Sequence, residues 1–184
     1  FLTMLGSAIG IVLITMLNEK GHTLAALWLI GGLFALTGIV NAWVIKGKDI
    51  VMKKGPQYYN ADLLTPKDKS TQVLYAHYVV LAPGGQSDKH GHMNEAMFYI
   101  LDGKGHEIHD GIRYDWKAGD TVIVENSCVH QHFNDDPDKP ARALVIKSKP
   151  LYLFMNLVMQ EVVEEQPKDP VHGHENFAAT FFPE

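Results

Sequence analysis

Gly84-Gly85-Gln86-Ser87-Asp88-Lys89-His90-Gly91-His92 and, further along, Gly119-Asp120-Thr121-Val122-Ile123-Val124-Glu125-Asn126-Ser127-Cys128-Val129-His130-Gln131-His132-Phe133-Asn134 decide the reading of this chain. A strand alternates its faces residue by residue, so His90 and His92 point the same way if they lie on one strand. His130 reaches them only if the chain folds back. The run between is rich in glycine and β-formers, which predicts that it does. Three imidazoles from two distant segments then form one candidate metal site: His90, His92 and His130.

The flanking sequence supports a β-fold. Strands are predicted over Gln72–Leu81, Glu95–Leu101, Gly105–His109, Ile112–Trp116, Thr121–Val124, Val129–Phe133 and Ala143–Lys147. Turns fall at Pro83-Gly84-Gly85, Asp102-Gly103 and Gly119-Asp120, and Asp110-Gly111 marks a tight hairpin. Short strands with frequent turns indicate an antiparallel sandwich or barrel. No βαβ pattern, internal repeat or phosphate-binding glycine loop is present.

These two segments resemble the paired signature motifs of the cupin superfamily. The first family motif is Gly, five residues, His-x-His, three or four residues, Glu, six residues, Gly; here it reads Gly84, His90-Gly91-His92, Ala96 and Gly103. The second is Gly, five residues, Pro-x-Gly, two residues, His, three residues, Asn; here it reads Gly119, Glu125-Asn126-Ser127, His130 and Asn134. The resemblance covers residues 71–148 and implies an all-β double-stranded β-helix, or jelly-roll, with His90, His92 and His130 as metal ligands. The family's glutamate falls on Ala96, which has no ligand atom, and the Pro-x-Gly is missing. Similarity to three-histidine cupin dioxygenases implies oxygenation of a small chelating substrate, aromatic or dicarbonyl; many cupins only bind ligands.

Imidazole suits several divalent ions, so ligand type alone leaves Mn, Ni, Cu and Zn open; a three-ligand face with free positions suits Fe(II) oxygen chemistry and makes that ion the first expectation. Three protein ligands leave positions free for a chelating small molecule and dioxygen. Three neutral ligands also leave the ion's full charge in place, which favours an anionic chelator.

Other residues are weighed against plainer roles. Glu95 reaches the ion only if a local bulge turns it inward; otherwise it is a surface or supporting carboxylate. His132 shares face parity with His130 and is a candidate to orient a ligand or line the cavity. Cys128 shares that parity and reads better as a small buried hydrophobe. His77 alternates with Tyr75 and Val79, as a cavity or ordinary strand histidine. His106 and His109 flank a turn and are expected to be exposed. Asn134 reads as a structural turn residue, and Arg113 and Arg142 as surface strand residues with an alternative role of holding a substrate carboxylate. His172-x-His174 imitates a ligand pair without a third partner. No catalytic residue is assigned.

The chain has 184 residues, a net charge of −5 and one cysteine. That count excludes an intrachain disulfide framework. Residues 46–54 are rich in lysine, so the rest is more acidic still, which argues against a nucleic-acid partner.

Residues 1–45 are almost free of charge. Phe1–Leu17 and Leu24–Ile45 would span about 26 Å and 33 Å as helices, close to a bilayer's apolar thickness. Asn18–Thr23 forms a polar turn between them, Trp28 and Trp43 suit the interfaces, and Gly6-x-x-x-Gly10 and Gly31 with Ala35 allow close helix contact. Two transmembrane α-helices are therefore expected, a buried helical hairpin being the alternative. Lys46, Lys48, Lys53 and Lys54 follow the second run and place the cupin region on the cytoplasmic side. Because the chain begins with Phe, a fragment or processed form is expected.

The expected organisation is thus a membrane hairpin at 1–45, a basic juxtamembrane segment and linker at 46–70, a cupin barrel at 71–148, and a helix and tail at 149–184. Pro150 starts the helix, with Leu151, Phe154, Leu157, Val158 and Val162 at helical spacing. The functional expectation is a membrane-anchored metalloprotein, with a non-haem Fe(II) dioxygenase as the enzymatic form of that reading. The alternatives are an accessory subunit of a membrane protein complex or a metal-dependent sensor of a small ligand. Self-association as a homodimer is consistent with each.

Overall fold

Alternating inward apolar side chains along short β-rich segments build two antiparallel sheets. The computed structural model describes residues 45–65, 73–157 and 159–181. The two expected membrane spans fall almost entirely outside the described residues. Among those described, no helix is long and apolar enough to cross a membrane. Residues 45–184 form one compact unit.

After a short 3₁₀ turn at Gly47–Asp49 come β1 (Lys53–Lys54), β2 (Tyr58–Leu64), β3 (Tyr75–Leu81), β4 (Lys89–His92), β5 (Ala96–Asp102) and β6 (Lys104–His109). They are followed by β7 (Ile112–Lys117), β8 (Thr121–Val124), β9 (Val129–Asn134), β10 (Ala141–Lys147), α1 (Lys149–Phe154) and β11 (Gln160–Glu164). One sheet has six strands in the order β1-β2-β3-β10-β5-β8, and the other five in the order β11-β4-β9-β6-β7. Every named pairing is antiparallel. The chain crosses repeatedly between sheets, as a jelly-roll does.

The core is built mainly by the six-stranded sheet: Val79 and Leu81 from β3, Phe98 and Ile100 from β5, Val124 from β8, Ala143 and Val145 from β10. Trp116 joins them from β7. Gly105, its partner across β6 and β7, is small by necessity, because a Cβ there would meet the Phe133 carbonyl and come within 2.6 Å of the indole. The Asp110-Gly111 hairpin forms where expected, with positive φ at both residues (47° and 87°), the backbone that a type I′ turn requires.

Three boundaries differ from the sequence reading. The segment expected as a linker contains β2, which pairs with β3 from Tyr58↔Leu81 onward, so the sheet begins well before residue 71. Tyr58 and Ala61 are buried in it; its burial does not alternate cleanly, and the neighbouring prolines and charges obscured the strand. The predicted helix beyond Pro150 ends at Phe154, where Met155 caps it and Asn156 turns left-handed at φ 56°, a conformation that stops helices. The chain then returns as β11 along the open edge of β4, with Gln160 opposite His92 and Val162 opposite His90. Edge pairing and β-branched Val162-Val163 outweigh the helical spacing of apolar residues. The tail from 166 lies against β2 and β3: Tyr59 donates from its hydroxyl to the Phe177 carbonyl at 3.0 Å, and Phe181 packs on Tyr78 at 4.5 Å between ring centroids.

Candidate metal centre

The site follows from strand alternation and one register. On β4, His90 and His92 are buried and flank the half-buried Gly91. On β9, His130 and His132 are buried while Val129 and Gln131 are only partly so. Pairing of β4 with β9 sets His90 directly opposite His130. The ring centroids lie 4.3 Å apart for His90–His130, 4.8 Å for His92–His130 and 5.5 Å for His90–His92. One ligand nitrogen from each lies within 4.8 Å of the other two. Nitrogens about 2.1 Å from one ion would stand ~3 Å apart at right angles, so the three rings are within reach of a common ion.

Backbone carbonyls set the tautomers. His92 Nδ1 lies 2.6 Å from the Asn94 carbonyl, His130 Nδ1 3.1 Å from that of Cys128, and His90 Nδ1 3.5 Å from that of Asp88. A carbonyl only accepts, so Nδ1 carries the proton and Nε2 keeps its lone pair. His130 is fully buried, and its Nε2 has no hydrogen-bond partner. Burial first, then neighbouring positive charge, pushes His90 and His92 down to about 3 and lowers His130 as well. Neutral imidazoles with inward lone pairs are the form that binds a divalent ion, so the residues present fit one.

Beside this cluster lies a buried group that the sequence reading missed. Glu107, on β6, is 1% exposed. Its Oε2 accepts from His132 Nδ1 at 2.7 Å and His109 Nε2 at 3.2 Å. Burial works to raise its carboxyl, but His132 and His109 more than offset that and hold it below the ordinary carboxylate value. His132 therefore supports the site instead of joining it: its ring stands 5.2 Å from His130 and 4.4 Å from Phe98. His109 is drawn inward to Glu107, and His106 stacks on Phe133 and contacts Asp135 at 2.8 Å. Neither has the exposure expected of a turn histidine. The available signal was parity, since Gly105, Glu107 and His109 share one face of β6.

Lys147 was also missed. It ends β10, is 9% exposed, and places Nζ 3.3 Å from His92 Nε2. Burial, then Lys149, pushes its ammonium down to about 8, with Asp88 acting the other way. His77 faces the interior from β3 and is buried, with Nδ1 unpartnered. Burial, then the charge of Lys147, lowers it well below its ordinary value.

The remaining candidates fall elsewhere. Glu95 is exposed and accepts from the Tyr152 hydroxyl at 3.2 Å; no bulge turns it inward, because Asn94 and Ala96 take the buried positions on either side. Cys128 is buried in the core, and burial pushes its thiol up to about 11. Asn134 is a turn residue, donating to the Ala82 and Lys139 carbonyls and accepting from Asp136 N–H. Arg113 binds Asp115 and Asp135 on the surface, and Arg142 pairs with Asp102. His172 is exposed beside Glu175, and His174 meets the Pro137 carbonyl; among the described residues the sole cluster of this kind is His90, His92 and His130.

Comparison with known proteins agrees with this architecture. Residues 77–147 match the family model described as "Cupin domain". Over 59 residues the chain is 29% identical to 5-aminosalicylate 1,2-dioxygenase from a Comamonas species, a match covering 32% of this chain and 16% of that enzyme. Salicylate 1,2-dioxygenase from Pseudaminobacter salicylatoxidans superposes with a TM-score of 0.54 at 12% identity, over 59% of this chain and 31% of that one. A cupin-like protein from Thermotoga maritima superposes at 0.50 with 22% identity, over 59% and 77%. The chain therefore spans only a small part of the dioxygenases it resembles, and the structural likeness is one of fold.

Proposed function

We propose that the protein binds one divalent metal, Fe(II) in the first instance, through His90, His92 and His130, and acts as a dioxygenase on a small chelating aromatic substrate. The observation carrying this reading is the convergence of three buried, neutral imidazoles whose Nδ1 atoms face carbonyls. Similarity to a segment of an aminosalicylate dioxygenase supports it. Fe(II) held by three protein ligands supplies open positions for a chelating substrate and dioxygen. The chain's part is to position and exclude. The β4–β9 register fixes the imidazoles, Asn94 and Cys128 carbonyls hold their tautomers, and Glu107 orients His132 beside Phe98. Ala96 contributes no charge to the site.

Metal analysis of the protein as isolated, beside His130→Ala, tests the binding. Near-stoichiometric metal is expected in the wild type, with affinity falling more than about a hundredfold in the variant, since even loss of a supporting partner costs 10–100-fold. Equal metal content in the two would end the reading. Oxygen uptake by the Fe(II)-loaded protein with 5-aminosalicylate, salicylate and gentisate then tests the reaction.

A second reading is an accessory subunit anchored through residues 1–45, with the barrel on the cytoplasmic side. The exposed apolar run of Leu151, Leu153, Phe154, Leu157 and Met159 favours it, since such patches mark contact surfaces. Extraction of the native protein in mild detergent discriminates: a larger complex supports the subunit reading, and a free monomer or homodimer opposes it.

A further inference from the structure

Lys147 is a buried cation beside the proposed metal centre, and the protein gives it no carboxylate. It follows Ala143 and Val145 on the inward face of β10 and stands opposite Ala96 on β5 and Tyr75 on β3. Ala96 is buried and its side chain ends at Cβ, so the position across from the ammonium is empty of charge. Among the described residues, no Asp or Glu oxygen lies within the 4.0 Å limit of an ion pair with Nζ. The nearest polar partner is His92 Nε2 at 3.3 Å, the lone pair that an ion would take.

Buried charges persist when they are paired. A dication held by three neutral imidazoles would add two further positive charges beside Lys147 and claim its present acceptor. An anion with two oxygens, one for the ion and one for the ammonium, satisfies both cations at once. His77 stands on the same wall as a second buried group, with its Nδ1 unpartnered and its strand neighbour Val145 two residues from Lys147.

We infer that the site takes a ligand bearing a carboxylate, and that Lys147 is the residue selecting it, gripping from the six-stranded sheet the group that a metal on the five-stranded sheet chelates. This rests on the metal reading above and gives the substrate class a specific determinant. Lys147 is a positioning and selectivity residue. The imidazoles remain the metal ligands.

The test uses the full chain loaded with Co(II), whose d–d absorption reports binding without turnover. Benzoate is titrated as the carboxylate probe and benzamide as its uncharged counterpart, on wild type, Lys147→Met and Lys147→Arg, with the exposed Lys104→Met as control. Circular dichroism confirms that each variant is folded, and Lys147→Arg tests the charge should Lys147→Met misfold. The expected result is unchanged Co(II) stoichiometry in all four proteins. Benzoate should weaken by about 10- to 100-fold in Lys147→Met, the loss of one hydrogen bond to a charged group, with benzamide unaffected and benzoate largely restored in Lys147→Arg. Benzoate affinity within twofold of wild type in a Co(II)-replete Lys147→Met would overturn the inference and leave the metal reading standing. Loss of Co(II) in Lys147→Met would also overturn it, by making the amine a metal ligand. Failure of the wild type to bind Co(II) above His130→Ala would sink the metal reading itself and this inference with it.

Discussion

The five-stranded sheet presents imidazoles to the interior of the barrel, whereas the six-stranded sheet presents Val79, Leu81, Phe98, Ile100 and Val145. On the second sheet His77 and Lys147 face the histidines from one end, and Tyr58 stacks toward His132 at 6.1 Å between ring centroids. The difference separates two tasks. A metal-binding wall needs several ligands fixed by one register, and β4 paired with β9 supplies that in adjacent strands. The opposite wall needs mass to exclude water and a single charged group to discriminate between ligands. The sheets therefore carry different vulnerabilities, and substitutions should expose them separately.

The largest effect is expected at Glu107. Its carboxylate serves His132 and His109 together, so Glu107→Ala leaves the buried His132 and the half-buried His109 without an acceptor. Breaking a buried pair from one side costs about 3–5 kcal/mol, to be read from urea denaturation. Glu107→Gln keeps an acceptor oxygen and should cost less. A loss below about 1 kcal/mol for the alanine variant would mean that the histidine wall does not depend on its buried carboxylate.

Acid and alkali should then distinguish the two walls. His90 and His92 fall from an ordinary value of 6.5 to about 3 on folding, mainly through burial. Between those limits the unfolded chain binds more protons, so the stability of the metal-free protein declines as pH drops from 6.5 toward 3. Each group withdraws up to about 1.4 kcal/mol per pH unit. Lys147 falls from 10.5 to about 8, so its contribution improves as pH rises through that interval. Tyr58, Tyr75 and Cys128 have raised values and act in the opposite direction there. The difference between wild type and Lys147→Met removes their contribution. Thermal melts across pH 3–10 measure both limbs, and a flat acid limb would contradict the neutral, buried histidines.

The histidine wall was largely legible in the sequence because it depends on alternation, and alternation is local. His90-x-His92 and the glycine-bounded strands reveal their faces without a partner. What escaped depends on pairing between distant strands. Glu107 looks like an exposed residue between two turn histidines until β9 is laid against β6. Lys147 looks like the polar end of a strand until Ala96 is set opposite it. The β11 edge was hidden for the same reason: helical spacing over Leu151–Val162 is a property of the segment alone, and the open flank of β4 is not.

Glu95 gives the smallest effect and the cleanest separation of sequence proximity from spatial role. It stands three residues from His92 and one from Ala96, yet its carboxylate points to solvent, holds the Tyr152 hydroxyl and is kept below the ordinary carboxylate value chiefly by a backbone hydrogen bond. Glu95→Gln should leave metal content unchanged and alter stability by less than about 0.5 kcal/mol, as surface substitutions do. Metal analysis and a thermal melt measure both. Loss of the ion in this variant would require β5 to bulge on binding and bring a carboxylate to the metal. One positive charge would then be cancelled at the centre, and the demand that Lys147 and a three-imidazole ion together place on an anionic ligand would weaken in proportion.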